Sequence, residues 1–163
     1  MHETVTEQDH HWLRQSFELA RQARLNGDRP FGALIVTAEG KPLFEGMNNV
    51  YSTQDPTGHA ELNILRGIGK HMTPEELAGA TMYASGEPCT MCSAAIVWSG
   101  IGRVVYGLSI PRQQKEFDNA PTRTRLSIRC AEVVASSNKP VPVIGPVLED
   151  EIVAIWKANP PPK

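Results

Sequence analysis

Cysteine is scarce in this chain: three residues in 163, an odd number. That argues against a disulfide framework and for a metal or reactive site in a reducing, cytoplasmic compartment. Long apolar runs are missing as well. No stretch approaches the roughly 18 consecutive apolar residues that a transmembrane helix needs, so no membrane partner is expected. The N-terminal Met-His-Glu-Thr-Val-Thr-Glu-Gln-Asp-His has neither a basic region nor an apolar core and does not read as a secretory signal. Basic charge is not in excess either: 16 Lys and Arg face 18 Asp and Glu, a net charge of −2. The composition gives no electrostatic reason to expect nucleic acid as a partner. What is present fits a folded chain. Hydrophobic residues make up 40% and charged residues 21%, which argues against disorder. A chain of this size buries about 70% of the surface it exposes when unfolded and needs no cross-links. The reading is one domain over residues 1–163, with 155–163 as a C-terminal tail.

Turn residues divide the chain into short alternating elements. Residues 7–26 read as a helix, with Trp12, Leu13, Phe17, Ala20 and Leu25 along one face and Asn26-Gly27-Asp28 as its stop. Residues 31–36 and 43–47 read as a β-hairpin around Ala38-Glu39-Gly40-Lys41. Residues 48–58 read as a loop, and a helix starts near His59. Thr73-Pro74-Glu75-Glu76 is a capping box with Pro at the first helical position. Strands are expected over 81–84 and 103–106, flanking a helix over 89–98. Residues 108–122 read as polar loop because of Pro111 and Pro121, and 126–134 as helix in preference to strand. Residues 141–144 suit a fifth, edge strand, because Pro142 cannot donate a ladder bond. A last helix spans 148–156, with acidic Glu149, Asp150 and Glu151 matching its dipole. This alternation predicts an α/β fold with helices packed on a mixed sheet.

Two short stretches carry chemistry. His59-Ala60-Glu61 and Pro88-Cys89-Thr90-Met91-Cys92 both open helices. Cysteines at i and i+3 share a helical face, so both sulfurs can reach one ion. A helix N-terminus favours the thiolate, which is the metal ligand. One imidazole with two thiolates suits zinc. Cys130 and the histidines at 2, 10, 11 and 71 stand at no short ligand spacing from this pair. Three ligands leave a fourth position for water, the arrangement of catalytic zinc, which acidifies that water. Glu61, in the first turn beside the ligand, can then carry its proton. A lone Cys-x-x-Cys also suits a redox pair or two buried thiols, and a lone His-x-Glu has almost no specificity. Together, His-x-Glu followed by Pro-Cys-x-x-Cys is the signature of zinc deaminases acting on nucleobases.

From about Pro30 to Gly107 the chain resembles the cytidine-deaminase-like superfamily, close to guanine deaminases and bacterial tRNA adenosine deaminases. The resemblance rests on Pro30-Phe31-Gly32-Ala33, Asn48, Asp55-Pro56-Thr57, His59-Ala60-Glu61, Glu87-Pro88-Cys89-Thr90-Met91-Cys92 and Ile101-Gly102-Arg103-Val104-Val105-Tyr106-Gly107. Weaker similarity continues through Gly145-Pro146-Val147-Leu148-Glu149. It implies a three-layer α/β/α fold around a five-stranded mixed sheet, assembled as a homodimer or larger oligomer. It implies zinc bound by His59, Cys89 and Cys92, with Glu61 as the catalytic proton shuttle. It also implies that Asn48 and the Ala60 backbone N–H hold the ring of a base and that Phe31 walls the pocket. Glu116-Phe117-Asp118-Asn119 resembles a Phe-Asp-acid element of guanine deaminases whose final carboxylate faces the purine, but here the final residue is Asn119.

Each of these residues has a plainer reading. Asn48 can cap a turn, and Asn119 can be a turn residue ahead of Pro121. Met91, Ala94, Ala95, Ile96, Val97 and Trp98 make the second metal helix apolar nearly all round, which places it in the core or against another subunit. Cys130 reads as a buried small hydrophobe, His71 as a helix C-cap, and His10 and His11 as solvent-facing. Arg123, Arg125 and Arg129 suit a solvated face better than a basic patch. The expected activity is zinc-dependent hydrolytic deamination of a free nucleobase or nucleoside, guanine-like or cytosine/triazine-like. The alternatives are a tRNA-specific adenosine deaminase and a non-catalytic zinc-stabilised interaction domain.

Overall fold

All the strand-like runs join one sheet. The computed structural model describes residues 3–117 and 120–161. Strands β1 (Gly32–Val36), β2 (Pro42–Met47), β3 (Thr81–Gly86), β4 (Arg103–Leu108) and β5 (Val143–Ile144) run in the order β2-β1-β3-β4-β5. β1 is antiparallel to β2 and to β3, whereas β3, β4 and β5 are parallel. The helices are α1 (Glu7–Leu25), α2 (Val50–Thr53), α3 (Ala60–Leu65), α4 (Pro74–Gly79), α5 (Thr90–Ser99), α6 (Ile110–Phe117), α7 (Cys130–Ala135) and α8 (Glu149–Ala158). Among the described residues no helix is long and apolar enough to cross a membrane.

Side chains alternate across the strands, so each strand feeds two cores. Leu34, Val36, Tyr83 and Val105 pack against Leu13, Phe17 and Ala20 of α1 and Ile152, Val153 and Trp156 of α8. Ala33, Ile35, Met82, Ala84, Val104 and Tyr106 face the other way, against Ala60, Ile64 and Leu65 of α3 and Ile96 of α5. β1 is buried along its whole length and β3 nearly so, because helices cover both faces, as expected of strands that read as continuous apolar runs. The three-layer α/β/α arrangement around a five-stranded mixed sheet matches the sequence expectation.

Five segments differ from it. Residues 155–158, expected to belong to the tail, form the last turn of α8, with Trp156 buried in the core. Residues 110–117, expected as loop, form α6. Pro111 sits in the first turn, where its missing N–H costs nothing. The Ser109 hydroxyl accepts the Arg112 N–H at 3.3 Å, and Arg112 Nε bonds Glu116 at 3.0 Å along the helix. The helix expected over 126–134 begins only at Cys130, and Leu126 and Ile128 are exposed in a stretch without regular secondary structure. The loop over 48–58 holds the four-residue α2. β5 is two residues long, with Pro142 contributing its carbonyl to the Val104 N–H at 2.9 Å.

A buried carboxylate ties α1 to the sheet. Asp9 and Thr6 form a reciprocal capping box at the start of α1. Tyr83 donates its hydroxyl to Asp9 Oδ1 at 2.7 Å, and Arg103 donates to both Asp9 oxygens at 2.7 and 3.0 Å. Burial works to raise the Asp9 carboxyl, but the bonds from Arg103, Thr6 and Tyr83 outweigh it and hold the group well below the usual carboxylate range. A carboxylate whose pKa is depressed by folding stabilises the fold above its unfolded pKa, and that contribution disappears as pH falls. Asp9→Asn is expected to cost about 3 kcal/mol at pH 7, the scale of a buried charge deprived of its partner. In urea titrations the gap between the two proteins should close progressively below about pH 4. An unchanged gap at pH 3 would contradict this role.

Candidate active site

The two chemistry-bearing stretches meet at paired helix starts. His59 is the N-cap of α3 and Cys89 the N-cap of α5, both with extended backbone. Cys92 lies in the first turn of α5 and is buried. β3 delivers Glu87-Pro88-Cys89 from its carboxyl end, the edge at which open α/β sheets place their ligands. α3 reaches the same edge by lying close on β2. A Cβ on Gly46 would stand 2.3 Å from the Ala60 carbonyl oxygen and 2.7 Å from Ile64, so only glycine allows this approach.

His59 Nδ1 lies 3.5 Å from Cys89 Sγ and 3.6 Å from Cys92 Sγ. A tetrahedral zinc with bonds of about 2.0–2.1 Å to nitrogen and 2.3 Å to sulfur requires N···S edges of about 3.5 Å. The three donors therefore fit zinc, and among the described residues they form the group suited to hold a metal. Without metal the thiols split. The bond from Cys92, opposed by burial and aided by His59, holds Cys89 down to about 4. The bond to Cys89, together with burial, pushes Cys92 up. A separate bond, between His59 and Cys89, raises His59. One site thus contains a thiolate ready for a cation.

Glu61 is buried beside this cluster, and burial pushes its carboxyl above the ordinary range. Glu61, His59 and Cys89 lie in the wall of a cavity of about 510 Å³, within the size range of small-molecule sites. Phe31 and Asn48 line it too. The Phe31 ring packs edge-on against Trp156 with centroids 5.1 Å apart. Asn48 has the bond of a turn cap and also stands at the cavity. Its Oδ1 accepts the Val50 N–H at 3.1 Å, capping a turn, while the residue borders the cavity. Ala60 is fully buried in the core and is not among the residues lining the cavity. Asn119 lies outside the described residues. Cys130 is fully buried, and His71 follows the short 3-10 turn Ile68–Lys70 as its C-cap. His11 is exposed and His10 half-buried.

Several wall residues were not singled out by sequence reasoning. Tyr51, Gln113 and Gln114 line the cavity, as does Arg29, whose guanidinium lies 5.5 Å from the Phe31 ring centre. Asp28 accepts the Tyr51 and Ser52 N–H groups at 3.0 and 2.9 Å and fixes α2 against the cavity. The arginines of the C-terminal third do not form a plain solvated face. Arg123 and Arg125 line the cavity, and Arg129 Nε bonds the buried Glu87 at 2.7 Å.

The family model of the cytidine and deoxycytidylate deaminase zinc-binding region matches residues 6–108, well over half of the chain. The chain belongs to this deaminase family. A relative from Schizosaccharomyces pombe, named probable cytosine deaminase, is 36% identical over 149 residues, covering 91% of this chain and 90% of the relative. A tRNA-specific adenosine deaminase of Buchnera aphidicola subsp. Schizaphis graminum is 39% identical over 101 residues, 62% of this chain and 66% of the relative. A guanine deaminase from Nitrosomonas europaea superposes with a TM-score of 0.75 over 97% of this chain and 86% of its own, at 18% identity. At that identity the likeness shows the shared fold.

His59, Cys89 and Cys92 of this deaminase could hold a zinc ion, in keeping with the zinc-binding region that defines the family. Elemental analysis is expected to find about one zinc per chain. Cys92→Ser should lose most of it and unfold at lower temperature, because metal binding adds to folding free energy. Full zinc content in that variant would show that Cys92 is not a ligand.

Proposed function

We propose that the chain is a zinc-dependent hydrolytic deaminase of a free nucleobase or nucleoside, with Glu61 as the proton carrier. The carrying observation is the buried Glu61 carboxyl beside the His59, Cys89 and Cys92 cluster in the wall of one cavity. Zinc, when bound, supplies Lewis acidity that makes water nucleophilic near neutral pH. Glu61 carries two protons in turn, the first from the attacking water to a ring nitrogen and the second from the newly added hydroxyl to the leaving amine. The ring carbon that carried the amine gains oxygen, and ammonia leaves. Asn48 has its oxygen committed to Val50, so its amide nitrogen remains to donate to an acceptor on the ring. Phe31 offers a flat apolar wall, already braced by Trp156. The S. pombe relative, which spans nearly the whole chain, supports a cytosine-like ring.

A tRNA-specific adenosine deaminase is the second reading. The Buchnera relative favours it, and so do Arg29, Arg123 and Arg125 around the cavity, since guanidinium groups suit phosphate. The net charge of −2 opposes it. Ammonia release from cytosine, isocytosine, guanine, 8-oxoguanine, ammeline, guanosine and tRNA separates the two. A free base or nucleoside is expected to outperform tRNA, and Glu61→Gln should lower turnover by at least ~100-fold while keeping zinc. Turnover of tRNA alone would establish the second reading. Zinc loss in Glu61→Gln would remove the proton-carrier role.

The protein is further proposed to act as a homodimer or larger assembly. On α5, Cys92, Ser93 and Ile96 face the core, but Trp98 is 89% exposed. The core thus accounts for one side of an apolar helix, and a second copy suits the other. Light scattering should give at least twice the chain mass of 17.9 kDa, and Trp98→Glu should lower it. A monomer at micromolar concentration would contradict the assembly.

A further inference from the structure

Glu87 stands directly before Pro88 and Cys89, yet neither the metal cluster nor the proton transfer uses it. Its side chain is 1% exposed. An ionised carboxylate at that depth needs partners, and three segments provide them. Oε1 accepts Arg129 Nε at 2.7 Å and the Cys130 N–H at 3.3 Å. Oε2 accepts the Ile110 N–H at 3.0 Å. Ile110 and Cys130 are the first residues of α6 and α7. The Glu87 backbone N–H donates to the Leu108 carbonyl at 2.7 Å. One carboxylate therefore joins the loop that carries Cys89 to the starts of two helices. α6 carries Gln113 and Gln114, and the stretch leading to α7 carries Arg123 to Leu126, all in the cavity wall.

We propose that Glu87 is a positioning residue that fixes this wall of the cavity relative to the metal-ligand loop. It sets how substrate is held and leaves proton transfer to Glu61. The proposal rests on the reading that the cavity takes the substrate.

Glu87→Gln keeps the shape but offers one acceptor oxygen in place of two, so one helix start loses its partner. Hydrogen exchange is expected to quicken over 110–117 and 129–135, with 81–86 and 90–99 unchanged and zinc still at about one per chain. KM for the best substrate should rise about tenfold or more while kcat changes less than about threefold, the scale of losing a hydrogen bond to a charged group. Arg129→Gln removes the ion pair but leaves both backbone bonds, and it should show the same pattern with a KM rise of about threefold. Loss of zinc, or a fall in kcat at constant KM, would show that Glu87 acts through the metal and overturn the proposal. So would unchanged exchange and unchanged KM in Arg129→Gln, a result that decides the matter even if Glu87→Gln does not fold. Exchange and zinc content are read without substrate. A chain that deaminates no ring compound but shows the exchange pattern would therefore refute the proposed activity and keep the clamp.

Discussion

Two helices must begin close enough for their cap side chains to reach one point, and the rest of the site depends on that. α3 and α5 arrive from different crossovers, yet their N-caps, His59 and Cys89, bring imidazole and sulfur to 3.5 Å. Nothing local to either motif sets this distance. It is set by how tightly α3 lies on β2, where Gly46 leaves room for the Ala60 carbonyl, and by where β3 ends. Helix N-termini also favour thiolate, so the geometry and the electrostatics select the same ligand chemistry.

The cavity is built mostly from loops and helix starts at the carboxyl edge of the parallel strands, while the sheet itself stays a packed core. Loops at such an edge need anchoring, and buried carboxylates supply it. Asp28 holds α2 through the Tyr51 and Ser52 N–H groups. Glu87 holds the starts of α6 and α7. Asp9 does comparable work at the opposite end of β3 and β4, far from the chemistry, by joining α1 to Tyr83 and Arg103. Each is an acidic side chain satisfied by several donors, which makes burial tolerable and the attached backbone rigid.

The three metal donors and the acid beside them were legible in the sequence because their signal is short-range: one residue separates His59 from Glu61, and two separate Cys89 from Cys92. The central strands were legible because helices on both faces leave β1 and β4 largely apolar, and the edge strand β2 because a turn ties it to β1. The C-terminal third was not. Pro111 looked like a breaker, and only the structure shows it in the first turn of α6, with Ser109 capping that turn. Arg129 looked solvated because its partner, Glu87, lies 42 residues away. The walls contributed by Arg29, Arg123 and Arg125 were hidden for the same reason, since residue type alone does not say which segments converge on one cavity. Trp98 shows the limit of an all-round apolar helix as a signal, because the sequence alone left core and partner subunit open and this side chain faces away from the core.

The central claim is that two helix starts offer zinc three protein ligands beside a buried acid. X-ray absorption at the zinc edge tests it most directly. The account predicts two sulfur neighbours at about 2.3 Å, one imidazole, and a remaining light donor at about 2.0–2.1 Å. A third sulfur neighbour, from Cys130 or any other residue, or the absence of sulfur altogether, would contradict it.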